Sequence, residues 1–220
     1  MKLYKYLPRK FMDSVVGGDI LFRSLAYFRD YEDEKIRGDN YEGIRKFAGE
    51  GGLEIHNLTT AKKSKEEWIF KSNVDAENIF IFSTSTLLSE DLARDFESDI
   101  CIEFEDIGRL MAGLKSAIYR RKSVKPNMLY HGPVKYYAES EGPGIDWSFS
   151  ERISNSKLRC FEYQSEYRFM FSLNNALSFG NTSHEIQISE MEKEKAKKEY
   201  PSKVLKIGSL GSCCKIHEFK

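Results

Sequence analysis

From Asn78 to Ser85 the chain reads Asn-Ile-Phe-Ile-Phe-Ser-Thr-Ser, a continuous apolar run that stops abruptly at three hydroxyls. Apolar residues without alternation, over a length too short for a helix, are the pattern of a central strand. The remaining strand candidates are spaced around it. Residues 2–6 alternate, residues 19–24 are rich in β-formers, and residues 100–104, 134–138, 184–188, 203–209 and 215–219 carry further strand patterns.

Helices fall between these runs. Phe11, Met12, Val15 and Val16 form one stripe after Pro8, and Gly17-Gly18 stops it. Ser89 opens a short helix, and Ile107, Leu110, Met111, Leu114 and Ile118 keep helical spacing over residues 106–121. A capping box at Ser189 predicts an exposed helix over residues 190–200, closed by Pro201. Residues 26–43 are dense in charge, with Tyr27, Phe28, Tyr31 and Tyr41 interleaved as in a loop pinned to the body. Residues 43–78 are the least regular part. Gly49, Gly51 and Gly52 mark a turn there, and Ser64-Lys-Glu-Glu67 matches a capping box that predicts a short helix through Trp68. Strands interrupted by helices in this mixed order predict an α+β fold rather than a doubly wound sheet. The expected organisation is one domain over residues 1–220 with an irregular insertion around 26–78.

Composition narrows the function classes. With 34 basic and 34 acidic residues the chain carries no global field that would recruit nucleic acid or a membrane, so any such attraction must be local. Its 15 Phe and 12 Tyr are ample for a core. Cys101, Cys160, Cys213 and Cys214 have no disulfide-framework spacing, which points to a reducing, cytoplasmic setting. Cys213, Cys214 and His217 sit on an expected terminal strand, and no metal site is assigned to them. No apolar run approaches the ~20 residues of a membrane span, and no leader-like run follows Met1.

The chemistry-bearing stretch is Cys160-Phe-Glu-Tyr-Gln-Ser-Glu166-Tyr-Arg-Phe-Met-Phe171. Tyr167, Phe169 and Phe171 alternate as the core face of a strand, with Glu166, Arg168 and Met170 on the other face. Gln164 projects on the side of Glu166 if the backbone is already extended there. Taken alone, the stretch reads as an antiparallel strand whose Glu166 and Arg168 decorate a solvent face.

Three stretches combined say more. A first strand bearing Tyr4-Lys5-Tyr6 (or Phe22-Arg23-Ser24 on the next), a strand ending Ser83-Thr84-Ser85, and a late Gln164-x-Glu166 together resemble the ADP-ribosyltransferase family. The likeness is to the branch with an arginine, a Ser-Thr-Ser and a Gln/Glu-x-Glu signature in that chain order, and it covers most of the chain. The chain also resembles a large bacterial family of uncharacterised proteins beginning "LYKY", and antiphage toxins that ADP-ribosylate nucleic acid. The resemblance implies a split mixed β-sandwich with peripheral helices and NAD as substrate. It makes Glu166 the catalytic glutamate and Gln164 the residue that helps select the acceptor. Ser83, Thr84 and Ser85 would brace the nicotinamide ribose, beside Tyr4 and Tyr6. Either Lys5 or Arg23 would hold the pyrophosphate. It further implies a toxin whose partner is an antitoxin covering the cleft.

Tyr119-Arg-Arg-Lys-Ser-Val-Lys125 mixes cations with an aromatic and admits two readings. Arg120 and Arg121 could bind single-stranded nucleic acid, or they could simply complement a helix C-terminus. An uncharged Gln164 together with this cluster favours a nucleic-acid acceptor over a protein one.

Overall fold

The computed structural model describes residues 1–30, 40–49, 51–56, 58–188 and 199–219. The strands, in chain order, are β1 (Leu3–Leu7), β2 (Asp19–Ser24), β3 (Ile44–Ala48), β4 (Leu53–His56), β5 (Lys63–Glu66), β6 (Trp68–Val74), β7 (Ile79–Ser85), β8 (Ile100–Phe104), β9 (Tyr130–Pro133), β10 (Lys135–Tyr137), β11 (Ser156–Leu158), β12 (Glu166–Ser172), β13 (Thr182–Ile188), β14 (Ser202–Lys206) and β15 (Cys214–Glu218). The helices are α1 (Met12–Val16), α2 (Leu25–Arg29), α3 (Glu90–Asp95), α4 (Ile107–Tyr119) and α5 (Ser150–Ser154). Among the described residues no helix is long and apolar enough to cross a membrane.

The main sheet runs β14-β2-β7-β1-β8-β15, with β12 paired to both β7 and β9. The Ile79–Ser85 run is its centre. On one edge β7 pairs with β12 along its whole length, Ile79 opposite Ser172 and Ser85 opposite Glu166. On the other edge it changes partner: Phe80 and Ile81 lie opposite β2, whereas Ser85 lies opposite Tyr4 of β1. Between these two pairings the sheet splits. Lys5 reaches into the split and its Nζ donates to the carbonyl of Ser83, which lies between the registers of the two pairings, at 2.7 Å.

Both faces of the central strands are dry. Phe80, Phe82, Phe169 and Phe171 join Leu3, Phe22 and Ile102 in a core roofed by Leu110, Leu114 and Ile118 of α4. Ile79, Ile81 and Met170 face the other way, into a second core with Leu25, Val74 and Ile153. That side is covered by α5 and by a second sheet in the order β13-β6-β3. The result is an α+β split β-sandwich with peripheral helices.

Two expectations are corrected. Residues 43–78 are not irregular: they hold β3 to β6, and Ser64 lies in the β4–β5 hairpin rather than at a helix start. The four-residue cap signature needs an apolar helical stripe after it, and the residues beyond Trp68 have period two instead. Phe70, Ser72 and Val74 alternate and sit in register with Phe47, Arg45 and Ile186, His184 on the flanking strands. The strand expected over 134–138 is present as the shorter β10, and a separate strand, β9, precedes it against β12, the Val134 N–H donating to the Glu166 carbonyl at the end of that pairing. The capping box at Ser189 and the helix after it lie outside the described residues, apart from the last two.

Gly18 closes α1 with φ +92°, and a Cβ there would stand 2.0 Å from the Gly208 carbonyl oxygen. Its own carbonyl accepts from Ile207 N at 2.9 Å, so the two chain segments cannot move apart freely. Gly18→Ala should therefore cost about 2 kcal/mol or more, lowering the melting temperature by roughly 5 °C in a chain of this size. Thermal denaturation followed by circular dichroism checks it; an unchanged transition would mean the crossing is not tight.

Candidate functional site

Glu166 opens β12, as the pattern predicted, but neither it nor Arg168 faces solvent. Arg168 is 0% exposed and Glu166 7% exposed. The face thought to be wet is covered by Glu42, by the parallel β10–β11 pair and by the end of α5. Buried charges survive only when paired and hydrogen-bonded, and here the pairing is complete. Arg168 forks both ways. Its Nε and Nη2 meet the two Glu166 oxygens at 2.7 and 3.1 Å, and its Nη1 and Nη2 meet the two Glu42 oxygens at 2.9 and 2.5 Å. Nη1 also donates to the Ser154 carbonyl at 2.7 Å.

Lys157, on β11, is the second cation. Its Nζ lies 2.9 Å from Gln164 Oε1, 3.4 Å from Glu166 Oε2 and 3.6 Å from Glu42 Oε1. Because an ammonium has only donors, the Gln164 carbonyl must point at Lys157, and Nε2 is left to donate to Tyr163 Oη at 3.3 Å. Ser83 Oγ donates to Glu166 Oε1 at 2.6 Å and Ser85 Oγ to the Gln164 backbone carbonyl at 2.8 Å, while Thr84 Oγ1 ties β7 to the Tyr167 carbonyl. The three hydroxyls thus bind β7 to the start of β12, and Ser83 alone of them touches the carboxylate.

Gln164 and Glu166 are not related by strand alternation. Gln164 ends a short 3-10 turn, and Ser165 between them is left-handed with φ 45°. The turn nonetheless delivers both side chains to one cavity. Tyr136 holds the junction, its hydroxyl accepting from Glu166 N at 2.9 Å, and burial pushes that phenol up to about 12.

Burial would raise the Glu166 carboxyl, yet Arg168 and Lys157 beside it outweigh burial and hold it well below the usual carboxylate range. The same contacts keep Arg168 charged although burial opposes it.

The cavity in front of these groups encloses about 130 Å³ and is lined by Tyr4, Lys5, Tyr6, Phe28, Glu42, Ile81, Ser83, Thr84, Ser85, Phe96, Lys157, Gln164 and Glu166. It lies at the sheet's split. A space of that size takes one ring of about benzene's dimensions, so a larger ligand would extend beyond it. Of the residues expected to meet here, Tyr4, Lys5, Tyr6, the three hydroxyls, Gln164 and Glu166 do. Arg23 stands at the flank, in register with the lining residue Ile81 on the same face, its guanidinium 4.2 Å from the Tyr27 ring centre. Arg120 and Arg121 are elsewhere: α4 roofs the opposite face of the sheet, with the phenylalanines that alternate against Glu166 and Arg168.

Glu42, Lys157, Arg168 and Tyr136 were missed as site residues. Glu42 was hidden in a charge run and Lys157 belongs to no motif. Arg168 carried a usable signal: its strand neighbours a run apolar on both faces, and a strand beside such a run is covered on both faces too.

No known family model matches the chain, and neither a curated protein nor a solved structure matches it.

Removing Arg168 would leave two buried carboxylates with one lysine. Arg168→Met should cost about 3–5 kcal/mol, clearly more than Glu166→Gln, which leaves Arg168 paired with Glu42. The native protein and Arg168→Met should also respond oppositely to acid. In the native protein the Glu166 pKa is depressed, so its contribution is complete above the unfolded value of about 4.3 and is lost as pH falls through the lower folded value. Without Arg168 burial is free to raise the Glu166 carboxyl, so the variant's deficit should shrink between about pH 8 and pH 5. Urea denaturation at both pH values measures this; a deficit independent of pH would mean the network is not electrostatic.

Proposed function

We propose that the protein is an NAD-dependent ADP-ribosyltransferase acting at Glu166. What supports this reading above all is convergence: residues from β1, the end of β7 and the Gln164–Glu166 turn, far apart in sequence, line one cavity at a split in the sheet. Aromatic rings of Tyr4, Tyr6, Phe28 and Phe96 could stack a nicotinamide there.

The chemistry asks for a fixed negative charge more than for a base. As the bond from the ribose C1′ to nicotinamide breaks, nicotinamide leaves neutral with the bonding pair and the sugar becomes oxocarbenium-like, as in glycoside hydrolysis. A carboxylate beside it stabilises charge present chiefly in the transition state. Glu166 suits that role because Ser83 and Arg168 hold it immobile, and its depressed pKa makes it a poor proton acceptor. The acceptor's nucleophile then takes C1′ and yields its proton to solvent or to a neighbouring base.

A nucleic-acid acceptor fits this site better than a guanidinium. Both carboxylates lining the cavity are already engaged by Arg168, and the residue two before Glu166 is an amide backed by a lysine. A cationic acceptor would meet no uncommitted charge. In a bacterial toxin such a site would be the surface an antitoxin covers.

A second reading rests on the same pairing. With both oxygens of Glu166 engaged, the cavity could hold a nucleotide without turning it over. The two separate in one experiment, incubation of the protein with NAD labelled in its adenosine and a mixture of cell protein, RNA and DNA. The transferase should label the RNA or DNA fraction. Glu166→Gln should lose transfer by roughly a hundredfold or more while calorimetry still registers NAD binding. Binding with no label in any fraction would select the second reading, and label confined to protein would move the acceptor. Arg23→Ala should weaken NAD binding about tenfold at unchanged stability, whereas Lys5→Ala should also lower the melting temperature, because it frees the Ser83 carbonyl. Normal NAD binding by both would displace the pyrophosphate from this end of the cavity.

A further inference from the structure

The chain's charges balance overall but not locally. Residues 107–138 contain seven Lys or Arg and no Asp or Glu. At the chain's average, a stretch of that length would carry about five carboxylates. The fold gathers much of this excess on one side. Lys115 lies on the outer surface of α4, and Arg120, Arg121, Lys122 and Lys125 follow on the connection to β9. Lys203 of β14 joins them, its Nζ 5.8 Å from the ring centre of Phe80 on the α4 side of the sheet.

None of these six cations pairs with a carboxylate among the described residues. Cations on other parts of the surface include several that are paired, as in Lys2 with Glu103, Lys46 with Glu139, Lys135 with Asp146 and Arg159 with Glu141. The helix dipole accounts for Arg120 and Arg121 only, since its influence fades within the last turn, and Lys115, Lys122, Lys125 and Lys203 lie beyond it.

The surface is also built rather than loose. Val124 is buried, Arg121 N and Val124 N close successive turns at 2.9 and 3.1 Å, and Lys125 N donates to Ser172 at the end of β12 at 3.0 Å. Arg121 Nη2 donates to the Val204 carbonyl, locking α4 to β14. Amid these cations Tyr119 is 80% exposed.

We propose that this face, formed by the C-terminal half of α4, its connection to β9 and Lys203, is a docking surface for single-stranded nucleic acid. Held cations would follow the phosphates and Tyr119 would stack a base. An anionic membrane is the poorer partner, because surface helices insert an apolar face and that of α4 is consumed: Leu110, Leu114 and Ile118 are at most 1% exposed. The surface is separate from the cavity. It lies on the other face of the sheet and at the Ser172 end of β12, roughly 20 Å along the strand from Glu166. It would hold a long strand at a distance rather than present the modified atom.

The experiment is fluorescence anisotropy of a labelled oligouridylate and its DNA counterpart, without NAD, from about 50 to 300 mM salt. Engagement of about four phosphates should give a slope of log K against log salt of roughly −3. Arg120→Glu with Lys122→Glu should weaken binding at least about tenfold, and Tyr119→Ala about fivefold. Lys115→Glu with Lys125→Glu is an independent pair should the first misfold, and melting curves report on both. Absence of binding at the lowest salt, binding indifferent to salt, or full affinity in the folded reversal variants would overturn the proposal. So would preference for phosphatidylserine vesicles over the oligonucleotide. Because no NAD is present, a protein that binds the strand but never consumes NAD would retire the transferase and keep this surface. The converse result would do the reverse.

Discussion

Arg168 sits at the centre of the molecule with no exposed surface, forked between Glu42 and Glu166. A guanidinium in a dry interior is tolerable only if its donors are met, and meeting them imposes demands on distant parts of the chain. Glu42 must arrive from the segment before β3, Ser154 must offer a carbonyl from the end of α5, and β11 must bring Lys157 to balance the second carboxylate. These requirements join the small sheet to the large one by charge as well as by the apolar contacts around Ile81 and Met170. The ion network is costly as a source of stability. Its effect is to fix where the Glu166 oxygens stand, which an apolar core could not do.

The split in the sheet depends on the same region. β7 exchanges β2 for β1 partway along one edge, and between the two pairings Lys5 donates to the Ser83 carbonyl. The opening made by that exchange is where the hydroxyls of Ser83 and Ser85 and the carboxylate of Glu166 become reachable from solvent. Sheet topology and site are therefore one feature: a continuous ladder along β7 would have no cavity there.

How much of this was legible depended on range. Strand β12 and the helix α4 announce themselves through local periodicity, because one residue in two or in 3.6 meets the same neighbours, and β7 through an unbroken apolar run too short for a helix. The hydroxyl triplet and the Gln164–Glu166 pair were visible as motifs, and they do converge. The burial of Arg168 was not visible, since alternation along a strand tells two faces apart without saying what covers the second. Glu42 and Lys157 were invisible for the same reason: a lysine between serine and leucine looks identical whether it meets water or a buried carboxylate. The cap signature at Ser64 misled because four residues can satisfy it by chance, whereas the strand at Trp68–Val74 is enforced by two partners. Where sequence and structure part company, the missing information is non-local pairing.

The two faces of β12 divide the labour of the molecule. On one, Glu166 and Arg168 belong to a balanced set of two carboxylates and two cations, so that set holds fixed local charges with little net field, and Lys5 is the further cation lining the cavity. On the other, Phe169 and Phe171 carry the core beneath α4, and beyond that helix lies positive charge with no carboxylate to offset it in the stretch that bears it. A balanced site selects by hydrogen-bond geometry and attracts nothing from afar, because paired opposite charges cancel within a few ångströms. An unbalanced surface does the opposite: it attracts at distances up to about the Debye length of 8–10 Å and discriminates little. Recruitment and discrimination thus place conflicting demands on charge, and a chain with no overall surplus can meet both only by segregating its carboxylates. The acid-free stretch from Ile107 to Ala138 is the physical form that segregation takes here.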